Sequence, residues 1–162
     1  MMEKCIMFLW DLFPELIAAF LGTLGFSLMF KMKSGHLLFV SINGLFVYAI
    51  YMIASFFGLT EFVSAFLATL FAALMAELLA RALKAPTVIF VTTILVPIVP
   101  GSGLYYSMRY LLLQDVSNFL QRFKSMCFIF AGMMCGIILI SALMKLVMAL
   151  LKVKKEEKQM NH

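Results

Sequence analysis

PIVPGSGLYY, residues 97–106, sits where an apolar run should be completing a helix. Two prolines three residues apart, followed by Gly-Ser-Gly, break helical hydrogen bonding instead. A proline lacks the amide hydrogen and pushes away the carbonyl four residues back. Pro97 is therefore expected to free the carbonyl of Thr93, and Pro100 that of Val96. Gly101 and Gly103 permit positive φ and leave their amides uncovered by side chains. A helix restarting at Leu104 would point the amides of residues 101–104 out of its N-terminal mouth, where the dipole favours an anion. What such a break means depends on the solvent around it.

The solvent is lipid. The chain has 162 residues, of which 64% are hydrophobic and only 13% charged, with a mean hydropathy of +1.05. A soluble domain carries about 25% charged residues, so there is too little polar surface here for a globule in water. Several apolar stretches reach the roughly 20 residues that cross a bilayer. The composition predicts an all-α integral membrane protein, because in hydrocarbon every backbone polar group needs an internal partner. The net charge of +5 lies mostly in loops and tail, where it bears on topology and gives no sign of nucleic acid. Acidic residues around a short N-terminal apolar stretch, with no small-residue cleavage site, argue against a secretory signal. Cys5, Cys127 and Cys135 have no metal-type spacing and read as small packing residues.

Five apolar segments can be marked: 12–30, 37–57, 62–80, one from 87 that meets the prolines near its middle, and 126–151. About five transmembrane helices follow, the fourth broken at Pro97, Pro100 and Gly101. They form a single membrane domain, residues 1–151, with a charged cytoplasmic tail, 152–162. With the N-terminus outside, Lys31, Lys33, Arg81, Lys84, Lys152, Lys154, Lys155 and Lys158 fall inside, and Lys4, Arg109, Arg122 and Lys124 outside, eight against four. The positive-inside rule favours that orientation. Residues 109–124 have helical apolar spacing and predict an amphipathic helix at the interface, and Lys145 is expected to snorkel towards the headgroups. Close helix contacts are expected along Ser64, Ala68, Ala72, Ala76 and Ala80, at Gly132 with Gly136, and at Ala18 with Gly22. Such seams serve equally within one bundle or between subunits.

The broken fourth segment has two readings. One is a proline kink with a turn at the membrane surface. The other is a discontinuous transporter helix, whose freed carbonyls suit an ammonium group and whose half-helix N-terminus suits a carboxylate. Thr92, Thr93, Ser102, Tyr105 and Tyr106 would add hydroxyls. The substrate-binding candidates are Thr93, Val96, Pro97, Pro100, Gly101, Ser102, Gly103 and Tyr105.

PTVIFVTTILVPIVPGSGLYYSM, residues 86–108, resembles the threonine/serine exporter (ThrE-like) family, with a weaker match at GFSLMF, residues 25–30. Segment order and length are similar to the small subunit of its split, two-gene form, which corresponds to the C-terminal half of the fused exporter. The resemblance covers roughly residues 12–150. It implies export of small carboxylate-bearing metabolites, threonine and serine first, with succinate associated with a split pair. It also implies a larger membrane subunit resembling the N-terminal half, and a multi-pass place in the bacterial inner (plasma) membrane. Pro97, Pro100 and Gly101 carry over from its motif.

No P-loop is present, so export would run on an ion or proton gradient, and intramembrane acids are the coupling candidates. Glu15, beside Pro14, and Glu77 are those acids. An intrahelical pair with Arg81, four residues on, competes for Glu77. Helix-start stabilisation competes for Glu15, with Asp11 one turn earlier. Asn43 is expected to bond across helices, His36 to be solvated in a loop, and Asp115 to be interfacial. No nucleophile–base pair, metal-ligand cluster or cofactor motif appears, which disfavours an enzyme. A channel-like or scaffold protein is the remaining alternative.

Overall fold

The computed structural model describes residues 2–32 and 34–160, with side chains described for 13–32 and 35–150. It contains α1 (Met2–Met29), α2 (Ser34–Phe56), α3 (Glu61–Leu83), α4 (Thr87–Leu95), α5 (Gly101–Leu112) and α6 (Val116–Met160), with one 3₁₀ turn, Val96–Ile98, after α4. Among the described residues there is no strand. Three helices, α2, α3 and α6, are long and apolar enough to cross a membrane. The pair α4–α5, bent by 59°, makes a fourth such path if it is one span. Residues Phe13–Met29 of α1 form a shorter apolar helix. The chain is thus an all-helical membrane protein, with three to four such helices where about five crossings were expected.

The connections are tight because the helices end on left-handed residues. Gly58 (φ 76°) closes α2, with its amide donating to Ser55 O and that of Leu59 to Ala54 O. Lys31, Lys84 and Gln114 take the same conformation after α1, α3 and α5. Each closure pairs carbonyls that a helix end otherwise leaves open.

The small-residue ladder of α3 forms the centre of the bundle: Ser64, Ala68, Ala72, Ala76 and Ala80 are all buried. Gly132 and Gly136 of α6 press on the same helix. A Cβ on Gly132 would strike the carbonyl of Phe62, and one on Gly136 would lie 2.9 Å from Thr69 Cβ. The partners rise in number together, so α3 and α6 run parallel, and the glycine seam joins helices of one chain. Among the described residues the buried hydroxyls of Ser64 and Thr69 have no hydrogen-bond partner.

On α1 the expected seam is displaced by one residue. Gly22 has nothing within 4 Å of where its Cβ would be. The buried face is Ala19, Thr23 and Ser27, and Thr23 lies against Gly44 of α2. Thr23 and Ser27 donate their hydroxyls to the carbonyls of Ala19 and Thr23, both at 2.7 Å. Their polarity is spent inside the helix, so they pack as small residues.

Residues 109–124 are not one amphipathic helix. α5 ends at Leu112, Gln114 (φ 58°) turns the chain, and Asp115 caps α6 by accepting from the Asn118 amide at 3.2 Å. The Asn118 side-chain and backbone donors hold the exposed Asp115 carboxyl below its usual range. α6 then runs 45 residues without a break, roughly 68 Å at 1.5 Å per residue, so the fifth expected segment is its middle part. Its backbone is helical into the expected tail as far as Met160, but the tail side chains, like those of Lys4, Cys5 and Asp11, lie outside the described residues. Cys127 and Cys135 are exposed, not packed.

Gly132→Val should destabilise the bundle by about 1–3 kcal/mol through overpacking against α3, whereas Gly22→Ala should stay within about 0.5 kcal/mol of wild type. Thermal unfolding of the purified protein in detergent compares the two.

Candidate functional site

The break in α4 repairs most of its own hydrogen bonds. The amide of Val96 donates to Thr93 O and that of Val99 to Val96 O at 3.2 Å. Both carbonyls deprived by the prolines are therefore taken, contrary to expectation, because the chain tightens from α-type to 3₁₀-type bonding. Pro100 (φ −76°, ψ 64°) then forms an inverse γ-turn, in which Gly101 N–H donates to Val99 O at 2.7 Å. α5 starts at Gly101 instead of Leu104, and Leu104 N–H donates to Pro100 O at 3.1 Å. Neither Gly101 nor Gly103 has positive φ; both are helical. The amides of Ser102 and Gly103 are left without a partner among the described residues, and Pro100 offers no side-chain cap. The carbonyls of Pro97 and Ile98 likewise accept no hydrogen bond among the described residues, so the break leaves both donors and acceptors open.

Ser102 and Gly103 border a groove of about 300 Å³. One wall is the break, Pro97 to Pro100 with Ser102, Gly103 and Tyr106. α2 supplies Tyr48 and Tyr51, and α6 supplies Arg122, Ser125, Met126 and Ile129. Ser125 donates its hydroxyl to Glu61 at the start of α3. Gly103 keeps the wall thin: a Cβ there would sit 3.3 Å from Met126.

A second cavity of about 250 Å³ adjoins across Tyr48 and Pro97, which line both. Its other walls are Glu15, Ala18, Ala19, Gly22 and Val96. The Tyr48 hydroxyl donates to Glu15 Oε2 at 2.9 Å, bonding α2 to α1. One intramembrane candidate acid therefore stands a single side chain away from the groove.

The remaining sequence candidates separate. Thr93 is buried and donates to Ile89 O at 2.7 Å, and Thr92 donates to Val88 O at 2.8 Å, so neither hydroxyl faces the groove. Tyr105 is 65% exposed and does not line the groove, whereas Tyr106 does. Val96 lines the Glu15 cavity, and Gly101 lines neither. Glu77 pairs with Arg81 at 3.3 Å and shares a separate cavity of about 310 Å³ with Lys145 and Ser141. Asn43 donates to Phe39 O of its own helix at 2.7 Å and does not bridge helices. His36 lies in the first turn of α2, beside Lys31, not in a loop. Sequence reasoning missed Tyr48, Tyr51, Arg122 and Ser125 as wall residues. The helical spacing of Arg122, Ser125, Met126 and Ile129 puts them on one face and was the signal available.

A helix broken beside a groove in a membrane bundle is a feature that transporters share. The family model described as Threonine/Serine exporter, ThrE, matches residues 15–143. The chain belongs to that family, and its role is exporter-type membrane transport. Searches of curated proteins and of solved structures found no significant match.

Tyr48→Phe removes the α1–α2 bond and should cost about 0.6 kcal/mol, the average for interhelical hydrogen bonds in membranes. A double-mutant cycle with Glu15→Ala, which removes the acceptor, read by unfolding in detergent, should show that coupling; strictly additive effects would contradict it.

Proposed function

We propose that this chain is one subunit of a gradient-driven exporter of small carboxylate-bearing metabolites, most of all threonine and serine. It works with a larger membrane subunit resembling the N-terminal half of the exporter. It lies in the bacterial inner membrane with its N-terminus outside and its C-terminus in the cytoplasm. The observation that carries this reading is the groove at the break, where backbone amides and carbonyls lack partners, joined through Tyr48 to the carboxylate of Glu15. Substrate would sit against Pro97, Pro100, Ser102 and Gly103. Glu15 would take and release the coupling proton, since an intramembrane carboxylate is costly when ionised and exchanges between two states. Glu77 is the weaker coupling candidate, because Arg81 already neutralises it.

A dicarboxylate such as succinate is the second reading. It is favoured by one feature of the groove: none of its lining residues is an acid that would hold an ammonium group.

Cells lacking this chain and its partner, loaded with a threonine- or serine-containing dipeptide, should retain the released amino acid. Unchanged efflux of amino acids and of dicarboxylates would remove the transport reading. Gly103→Val, whose side chain would press on Met126 across the groove wall, should abolish export at near-normal membrane levels, whereas loss of the protein itself would point to a structural role. Glu15→Gln should flatten the pH dependence of export, and a wild-type profile in that variant would exclude Glu15.

A further inference from the structure

We propose that Arg122 is the carboxylate anchor of the groove, a substrate-recognition residue on α6 facing the broken helix. The inference deepens the transport reading above and rests on it for its physiological ligand.

Arg122 is the one ionised side chain among the groove's lining residues. It has no carboxylate within ion-pair distance: among the described residues the only salt bridge is Arg81–Glu77. The acid nearest in the network, Glu61, is engaged by Ser125, one turn further along α6. Arg122 is exposed and lines the groove together with Ser125, Met126 and Ile129, so its guanidinium is open to an entering ligand.

A guanidinium presents a planar fork of donors that matches a carboxylate bidentately, which an ammonium cannot do. The groove's volume of about 300 Å³ is at the small end of ligand sites, the right scale for a metabolite with a few heavy atoms. The lining also includes the hydroxyl-bearing side chains of Tyr51, Tyr106 and Ser102. These suit the neutral or hydroxyl-bearing remainder of such a ligand. One cation, no competing acid on the lining and several hydroxyls together define a site for a carboxylate attached to a small polar body.

The test uses the purified chain in detergent and three probes: threonine, succinate and threoninamide, which keeps the ammonium group and lacks the carboxylate. Thermal stabilisation at millimolar probe should be seen with threonine, succinate or both, and should be weaker with threoninamide. Arg122→Gln should lose about 10-fold or more in apparent affinity for the carboxylates, the worth of a charge-assisted hydrogen bond. It should no longer separate threonine from threoninamide. Arg122→Lys should fall between the two and serves as the check should the glutamine variant fold poorly.

Carboxylate preference surviving in Arg122→Gln, or no stabilisation of the wild type by either carboxylate, overturns the proposal. Carboxylate binding that depends on Arg122, in a protein whose deletion leaves efflux unchanged, keeps the anchor and removes the transport reading. Efflux lost on deletion but unaffected by Arg122→Gln does the reverse.

Discussion

A backbone amide or carbonyl without a partner costs several kcal/mol in hydrocarbon, and this constraint decides what the helix break can be. Pro97 and Pro100 each withdraw a donor that α4 would have used. The chain answers by shortening its hydrogen-bond loops, with Val96 reaching Thr93, Val99 reaching Val96 and Gly101 reaching Val99 across the γ-turn at Pro100. The repair is partial. The carbonyls of Thr93, Val96, Val99 and Pro100 are matched, while those of Pro97 and Ile98 and the amides of Ser102 and Gly103 have no partner among the described residues. A proline pair followed by Gly-Ser-Gly thus leaves two donors and two acceptors open within a few residues of each other.

A break of this kind needs other elements packed against it. α1, α2 and α6 pack on one side of it, each brought close by small or self-bonded residues, while Val99, Gly101 and Ser102 stay exposed. Thr23 meets Gly44 between α1 and α2, and Gly132 and Gly136 meet α3. The parallel α3–α6 seam has a further effect: it fixes the height of α6, so that Ser125 lies beside Glu61 and Met126 beside Gly103. Arg122 is one turn above. The packing of apolar residues far from the break therefore sets which polar side chains stand opposite it.

The membrane class, the helical segments and the place of the break were legible in the sequence, because hydropathy and proline chemistry are local properties. Polarity at the break was not. It depends on whether the chain relaxes into 3₁₀ and γ-turn bonding, and the α-helical bookkeeping that frees Thr93 and Val96 carbonyls omits that option. The face of α1 was misplaced for a related reason. Thr23 and Ser27 read as polar, yet their hydroxyls are consumed by the preceding turn, which leaves them smaller in effect than Gly22's neighbours suggested. The three non-glycine left-handed residues, Lys31, Lys84 and Gln114, carry no turn signature at all. Arg122 was assigned to topology because a charge flanking an apolar segment is ordinarily that, and its i+3 and i+7 companions become informative only once a groove exists beside them.

The two cavities that meet at Tyr48 and Pro97 bear on how an ion gradient would act in the proposed exporter. Coupling over long distances requires an element with two arrangements that both sites bias. Here the distance is one side chain. Tyr48 donates to Glu15 from one cavity and contributes its ring to the other. A protonated Glu15 accepts less strongly than an ionised one, so the phenol's hold on α1 weakens when the proton arrives. Pro97, lining both cavities, lies on the 3₁₀ turn, where shortened hydrogen-bond loops resist displacement less than a regular helix does. In the proposed exporter, proton occupancy and the shape of the groove wall would be connected through this one hydrogen bond and this one turn, without a rearrangement of the α3–α6 seam.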